Sequence, residues 1–485
     1  SQSRPSLWNP GLCPNPRSMT ASTARPAQSS GTVPDIRNHV VPHGRPNIEP
    51  IANGSYCCVA ATAAVTGSPG TSQAVTVSGL HGSGEAAPPM RFENIDPLPR
   101  GIPPGANPRY RLYQCADGEW FFLGTLFTNF YRKAFEALEL GDLFDVLEQD
   151  MVGAREMLIG IFETRPRDEW LELLKSKDVP CGPVGRREAW FSGPVVAEAG
   201  MRLMFNHPSL GEVAMPAPPA RLSATPARVS GLPKAVSAPP SWPAKPAPAA
   251  KAADTKAPLA GIRVLNLGTV IAGAYAGTLL ASLGADVIKI EGPEADPFRS
   301  DGVQFLVYNR GVRGLGLDLK QTAARGAFLE MVRSADVVID NYRLGVRERL
   351  GISYATLKAI NPRIISCSIN AYGDTGPWAA LPGFDPLMQA EGGMMAAQGG
   401  DGDPVLYTIA VNDIATAAVV ATSVVAALNA RERTGEGQEI VSSLLAQSLL
   451  YQLGEMVDYA GRPPNDLGGR DCVGRSAFEP LVMQD

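Results

Sequence analysis

"PLAGIRVLNLGTVIAGAYAGTLLASLGADVIKIEGP", Pro258 to Pro293, is the stretch that decides the fold. "GIRVLNLG" is apolar along almost its whole length, "AYAGTLLASLGA" has the small residues of a closely packed helix, and "DVIKIE" is a second strand. Strand, helix and strand in succession, with no strict alternation in either strand, open a parallel sheet covered on both faces. The pattern continues downstream through helix "AARGAFLEMVRSA", strand "DVVIDNY", helix "YATLKAI" and strand "RIISCSI". The expected fold class is α/β, with a Rossmann-like parallel sheet as the large domain.

The second strand ends on Glu291, about 20 residues beyond the first turn, the spacing of a dinucleotide-binding unit. The turn itself reads "LGTVIAGAYAG" rather than G-x-G-x-x-G. Without that fingerprint Glu291 reads equally as an ordinary strand-end acid. What survives is a location, because open α/β sheets bind ligands at the carboxyl edge of their strands.

Composition changes upstream. Residues 216–257, with "SAPPSWPAKPAPAAKAADTKAP", read as an extended Pro/Ala-rich linker. Within 56–215, a strand-like "EWFFLGTL" is followed by amphipathic helices through "REMLIGIFETRPRDEWLELLKS", which suggests a small α+β domain. Residues 1–55 show no periodicity and read as disordered or as a leader. The chain has 485 residues, of which 45% are apolar, enough for several cores. A net charge of -5 without basic and aromatic clusters argues against a nucleic-acid partner. The N-terminus lacks the order of a signal peptide, no apolar run reaches the ~18 residues of a membrane span, and no membrane partner is expected. Seven cysteines, scattered apart from the adjacent Cys57 and Cys58, form neither a disulfide framework nor a metal pattern, so the expected location is cytoplasmic and no metal site is expected.

From Pro258 onward there is no histidine, and the only cysteines are Cys367 and Cys472. His-based acid–base chemistry and hydrolytic triads are therefore missing from this half. Carboxylates remain. "TIAVNDIATAAVVATSVVAALNAR", Thr408 to Arg431, sets Asp413 at the mouth of a helix of Ala, Val and Thr. As an N-cap, Asp413 would satisfy free backbone N–H groups and contribute about 1 kcal/mol. As a nucleophile, it would attack an activated carbonyl and pass through a mixed anhydride.

Pro258–Pro293, "YNRGVRGLGLDLK", "VIDNYRLGVRERLGI", "NPRIISCSINAYGDTGPWAALPGFDP" and "RERTGEGQ" together resemble the family III CoA-transferases, a group that includes carnitine and bile-acid CoA-transferases and α-methylacyl-CoA racemases. The resemblance covers nearly all of 258–464. It implies that Asp413 is the nucleophile that moves CoA from an acyl-CoA to a carboxylic acid acceptor, through an aspartyl mixed anhydride and an aspartyl-CoA thioester. CoA and acyl-CoA are then substrates, with no permanently bound cofactor. An ordinary carboxylate pKa of about 3.9 would keep Asp413 ionised at neutral pH. For CoA, the resemblance implies Val270, Ala272, Asn309, Arg313, Asn341, Tyr342 and Arg349, each arginine having an alternative reading as a surface ion-pair partner. Racemases of the family carry Gly-His-Asp where this chain reads "PGFDP". Phe384 cannot accept a proton, and Asp385 reads as a structural or substrate-edge carboxylate. Two further departures are Gly292, where many members carry Arg, and Ile271, where formyl-CoA transferase has Gln.

The upstream block resembles the same family by its other end. "YQCADGEWFFLG", "TRPRDEWLELLKSKDVPCGPV" and "HPSLGEVAMPAPPARLSATPAR" are similar to the small domain and return segment that normally follow the large domain. The chain thus reads as a fused tandem pair: 56–215 as the C-terminal half of a first copy, and 258–485 as the large domain of a second. One chain would carry at most one nucleophile. Family members form interlocked dimers, so the expected assembly is that dimer or an intrachain pseudo-dimer in which Asp413 faces the Arg111–Pro226 block. A non-catalytic CoA-binding fragment and an acyl-CoA racemase are the competing functions. The Gly392–Gly400 loop "GGMMAAQGG" hints at an apolar acid.

Overall fold

The computed structural model describes residues 107–234, 242–243, 256–300 and 302–463. The expected leader 1–55, the stretch 56–106, residues 235–241 and 244–255 of the linker and the tail from 464 lie outside the described residues.

β1 (Tyr110–Gln114) and β2 (Trp120–Gly124) pair antiparallel, and β3 (Cys181–Pro183) adds to β2. Between β2 and β3, helices Thr128–Ala137, Met151–Phe162 and Arg167–Ser176 bury Phe135, Leu158, Phe162 and Trp170 against Tyr113 and Phe121. This is the expected α+β unit, with a core of its own. β4 (Arg202–His207) and β5 (Gly211–Pro216) form a second hairpin, followed by β6 (Ala220–Leu222).

β7 (Arg263–Asn266), β8 (Asp286–Glu291), β9 (Arg313–Gly316), β10 (Val337–Asp340), β11 (Ile365–Asn370) and β12 (Glu439–Ser443) are parallel, in the spatial order β9-β8-β7-β10-β11-β12. Counted from β7 this is 3-2-1-4-5-6, the Rossmann order, whose switch point lies between β7 and β10. Both faces are covered, which is why the strands do not alternate. Val264, Val337, Ile339 and Ile365 enter one core with helices Ala272–Ser282 and Val411–Thr434. Leu265, Val338 and Ile364 enter another with Phe328, Val332 and Leu357.

Two expectations need correction. β6 pairs antiparallel with β12 and closes that edge of the large sheet, so the linker does not start at 216. Three residues after a Pro-rich turn carry no strand signal, and only the partner edge makes them a strand. The helix Val411–Thr434 is, by length and composition, apolar enough to cross a bilayer, although no such run was expected. Of its most apolar window, 78% is buried inside the fold, where Ala, Val and Thr let neighbouring elements approach closely.

The upstream block is docked on the large domain along its length. Gly185 N donates to Ala390 O at 2.9 Å, Arg187 Nε to Gln452 Oε1 at 2.6 Å, and Trp190 Nε1 to Ser448 Oγ at 3.3 Å. β13 (Asp458–Tyr459) pairs with β5. Gln438 Oε1 accepts from the backbone N–H groups of Ala224 and Thr225. Phe122, Trp190 and Phe191 join the same core as the long helix.

Candidate active site

β7 ends at Asn266 and the next helix begins at Ala272. In the turn between them, a Cβ on Gly268 would stand 2.5 Å from the Gly273 backbone, so the chain crosses itself only because both residues are glycine. Val270 has φ +61°, a left-handed conformation that is an outlier for a β-branched residue. Three buried or half-buried side chains hold it there. Asn341 accepts from Thr269 N at 3.0 Å and donates to Thr269 O at 2.9 Å. Asp296 accepts from Val270 N at 3.2 Å, and Lys289 Nζ donates to Gly268 O at 2.8 Å while pairing with Asp296 at 2.7 Å. Asn341 follows β10, so these bonds tie together the loops on either side of the switch point. Strain maintained by a buried ion pair is characteristic of functional turns.

Asp413 lies in the first turn of Val411–Thr434, but it is not the helix cap. The residue at the cap position, Ala410, has no side chain to offer. The N–H groups of Asn412 and Asp413 are instead taken by Asp385 Oδ2, the latter at 3.1 Å. Asp385 opens the helix Asp385–Glu391 and is buried, with Oδ1 accepting from Gln389 Nε2. Gln389 also bonds Tyr407 N at 3.0 Å and Tyr407 O at 3.0 Å, which fixes the segment leading into the long helix. Asp413 itself is half-buried. Burial, and after it the negative charge of Asp385, push its carboxyl well above the ordinary carboxylate range. Asp385 is pushed up to about 6 by burial, against the hydrogen bonds from Gln389 and from the backbone of Asp413 and Asn412. The expectation of an ordinary Asp413 pKa is thereby overturned, because the sequence does not show that a second carboxylate folds against it. Two phenols feel the same pair: Tyr110 of β1 is raised well above its ordinary range, and Tyr308 is pushed up to about 12, both by burial and by the two carboxylates.

Val270, Asn341 and Tyr342 come together at the switch point, with Ala272 buried where the helix starts. Asn341 spends both ends of its amide on Thr269, so it shapes the turn. Tyr342 is half-buried, its phenol pushed up to about 12 by burial and by Asp340. Asn309 is buried, donating to Phe305 O at 3.0 Å, with its Oδ1 left without a partner. Arg349 is exposed beside Gly345. Arg313 stands apart at the amino end of β9, in an exposed bidentate pair with Asp286 at 2.6 and 2.7 Å. That is the ion-pair reading, at the edge opposite the switch point. Glu291 likewise behaves as a strand-end acid, bonded by Arg299 Nε and Asp296 N. Sequence reasoning missed Lys289, Asp296, Gln389 and Tyr110. A lysine inside the apolar run "DVIKIE" was the one visible signal, since a buried cation needs a partner.

Comparison with known proteins bears on this site. The family model described as CoA-transferase family III matches residues 40–235 and 259–477. The chain belongs to CoA-transferase family III. Among its relatives in that family, the chain is 38% identical over 231 residues to a succinate–glutarate CoA-transferase of Agrobacterium fabrum, covering 44% of this chain and 58% of that protein. It is 37% identical over 245 residues to an acetyl-CoA:oxalate CoA-transferase of Acetobacter aceti, covering 48% and 63%. A crystal structure of a CAIB/BAIF family protein from Brucella suis is 36% identical, with a TM-score of 0.41, covering 44% of this chain and 60% of that one. The chain thus spans less than two thirds of the length of each of these proteins.

Proposed function

We propose that this chain transfers CoA from an acyl-CoA thioester to a carboxylic acid, with Asp413 as the nucleophile. The observation that carries the reading is the division of labour at the helix mouth. Asp385 takes the N–H groups that an N-terminal Asp would otherwise collect, and the Asp413 side chain is left half-buried, with no hydrogen-bond partner among the described residues. Its oxygen attacks the thioester carbonyl, the C–S bond breaks, and CoA leaves as thiolate. The thiolate then attacks the aspartyl carbonyl of the anhydride, releasing the donor acid and leaving an aspartyl-CoA thioester. The acceptor carboxylate repeats the sequence in reverse and regenerates Asp413. Attack requires the ionised form of Asp413, and from that form the cycle consumes no proton or electron, so it calls for no His base. CoA occupies the switch-point crevice beside Val270, Ala272, Asn341 and Tyr342, with Asn309 and Arg349 at its margin.

The tandem reading belongs to the same proposal. The family match in two stretches and the docking of 107–222 on 256–463 support a first-copy small domain that completes the second-copy large domain. The effect of Asp385 and Asp413 on the Tyr110 phenol supports an upstream block that borders Asp413. The Asp413→Asn variant is expected to lose CoA exchange between acids by on the order of 10⁴-fold or more while still binding CoA. Exchange near the unmodified rate would refute the assignment. A two-base racemase is disfavoured, because Phe384 offers no base and Asp385 is engaged in capping.

A further inference from the structure

Two carboxylates meet at the mouth of Val411–Thr434, and only one of them is needed as a nucleophile. Asp385 sits in a different segment, 28 residues upstream of Asp413, yet its side chain is joined to the long helix at two successive N–H groups. Its other oxygen is fastened to Gln389, which grips the backbone of Tyr407 and Ile409. Both oxygens are therefore occupied by protein, and the geometry sets the direction of the helix's first turn. That turn carries Asp413.

We propose that Asp385 is the positioning residue of the nucleophile: by capping the helix from a separate segment at two successive N–H groups, it aims the Asp413 side chain. The inference rests on the transferase reading above for its catalytic consequence, though not for its electrostatic one. Among the described residues, three phenols feel the charge of the pair. Tyr110 from β1, Tyr308 from the helix Gly302–Tyr308 and Tyr451 after the helix Leu444–Leu450 all feel Asp385. Arg310 stacks on Tyr275, its Cζ 5.9 Å from the ring centroid. Burial and Asp385 are the two causes acting on Asp413, so removing the Asp385 charge acts directly on the nucleophile.

Asp385→Asn keeps an acceptor for the two N–H groups and removes the charge, whereas Asp385→Ala removes both. The expected result for Asp385→Asn is a fall of the Asp413 titration toward lower pH, read by carbon-13 NMR of aspartate-labelled full-length protein, with the Asp413 signal assigned by its loss in Asp413→Asn. The acid limb of the CoA-exchange rate is expected to move the same way. Asp385→Ala is expected to lose kcat by tenfold or more with little change in KM for acyl-CoA, and Asp385→Asn to recover part of that loss. An Asp385→Ala protein that folds and keeps kcat near the unmodified value would overturn the proposal, and an Asp413 titration unchanged in Asp385→Asn would remove its electrostatic part. If the titration moves but neither protein exchanges CoA, the electrostatic inference stands and the transferase reading fails.

Discussion

A single carboxyl group illustrates how far burial can override ordinary ionisation. Glu391 is buried at the end of the helix Asp385–Glu391, with Tyr372 Oη donating to Oε2 at 2.8 Å and Oε1 without a partner. Burial pushes it up to about 8, against the nearby charge of Lys175 and the Tyr372 hydrogen bond. In the unfolded chain it would titrate at about 4.3. Between those values the native protein holds a proton that the unfolded chain has lost, so stability falls as pH rises through that window and then levels. Glu391→Gln is expected to flatten this dependence and to raise the urea midpoint at about pH 9 relative to the unmodified protein. Equal slopes for the two proteins would show that Glu391 is ionised in the fold. Lys289 is the opposite case, a cation satisfied inside by Asp296 and Gly268 O. Lys289→Met leaves Asp296 buried and unpaired, and is expected to cost about 3–5 kcal/mol in denaturant unfolding together with weaker CoA binding.

At the scale of elements, the parallel sheet was legible and its closing strand was not. Strands with consecutive apolar residues and no alternation, such as the Val264–Leu265 pair of "RVLN" and the Val337–Ile339 run of "VVID", announce burial on both faces, and the helices between them are long enough to recognise. β6 depends wholly on the edge it joins, and β3, with the sequence Cys-Gly-Pro, depends on β2. The glycine of β3 has a physical reason. A Cβ on Gly182 would stand 2.4 Å from Glu391 Oε1, so the strand lies flat against the large domain only without a side chain. Gly182→Ala is expected to destabilise the protein by about 1–3 kcal/mol through overpacking, read as a lower denaturant midpoint. The site divides in the same way. Asp413 stood out as a charge opening an apolar helix, but its partner Asp385, its phenolic neighbours and the Lys289–Asp296 brace are products of tertiary folding. Arg313 shows the converse error, since an arginine before a strand gives no sign of which end of the sheet it will occupy.

At the scale of the whole molecule, the order of segments along the chain does not match the order of contact. The block 107–222 precedes the large sheet in sequence, yet it supplies that sheet's last strand and part of the core around the long helix. If this docking is made within one chain, a mixture of isotopically heavy and light protein should yield cross-links between 107–222 and 256–463 only within heavy or within light chains. Heavy-to-light cross-links between those blocks would mean that copies of the chain exchange them. The same arrangement places Tyr110 close enough to the Asp413–Asp385 pair for both carboxylates to act on its phenol, so the upstream block borders that pair. The most direct test of the account is peptide mass spectrometry of the full-length protein after mixing with an acyl-CoA and hydroxylamine, which converts an activated aspartyl group to a hydroxamate. The account predicts a hydroxamate on Asp413, absent without acyl-CoA, and CoA-bound protein with Asp413 unmodified would contradict it.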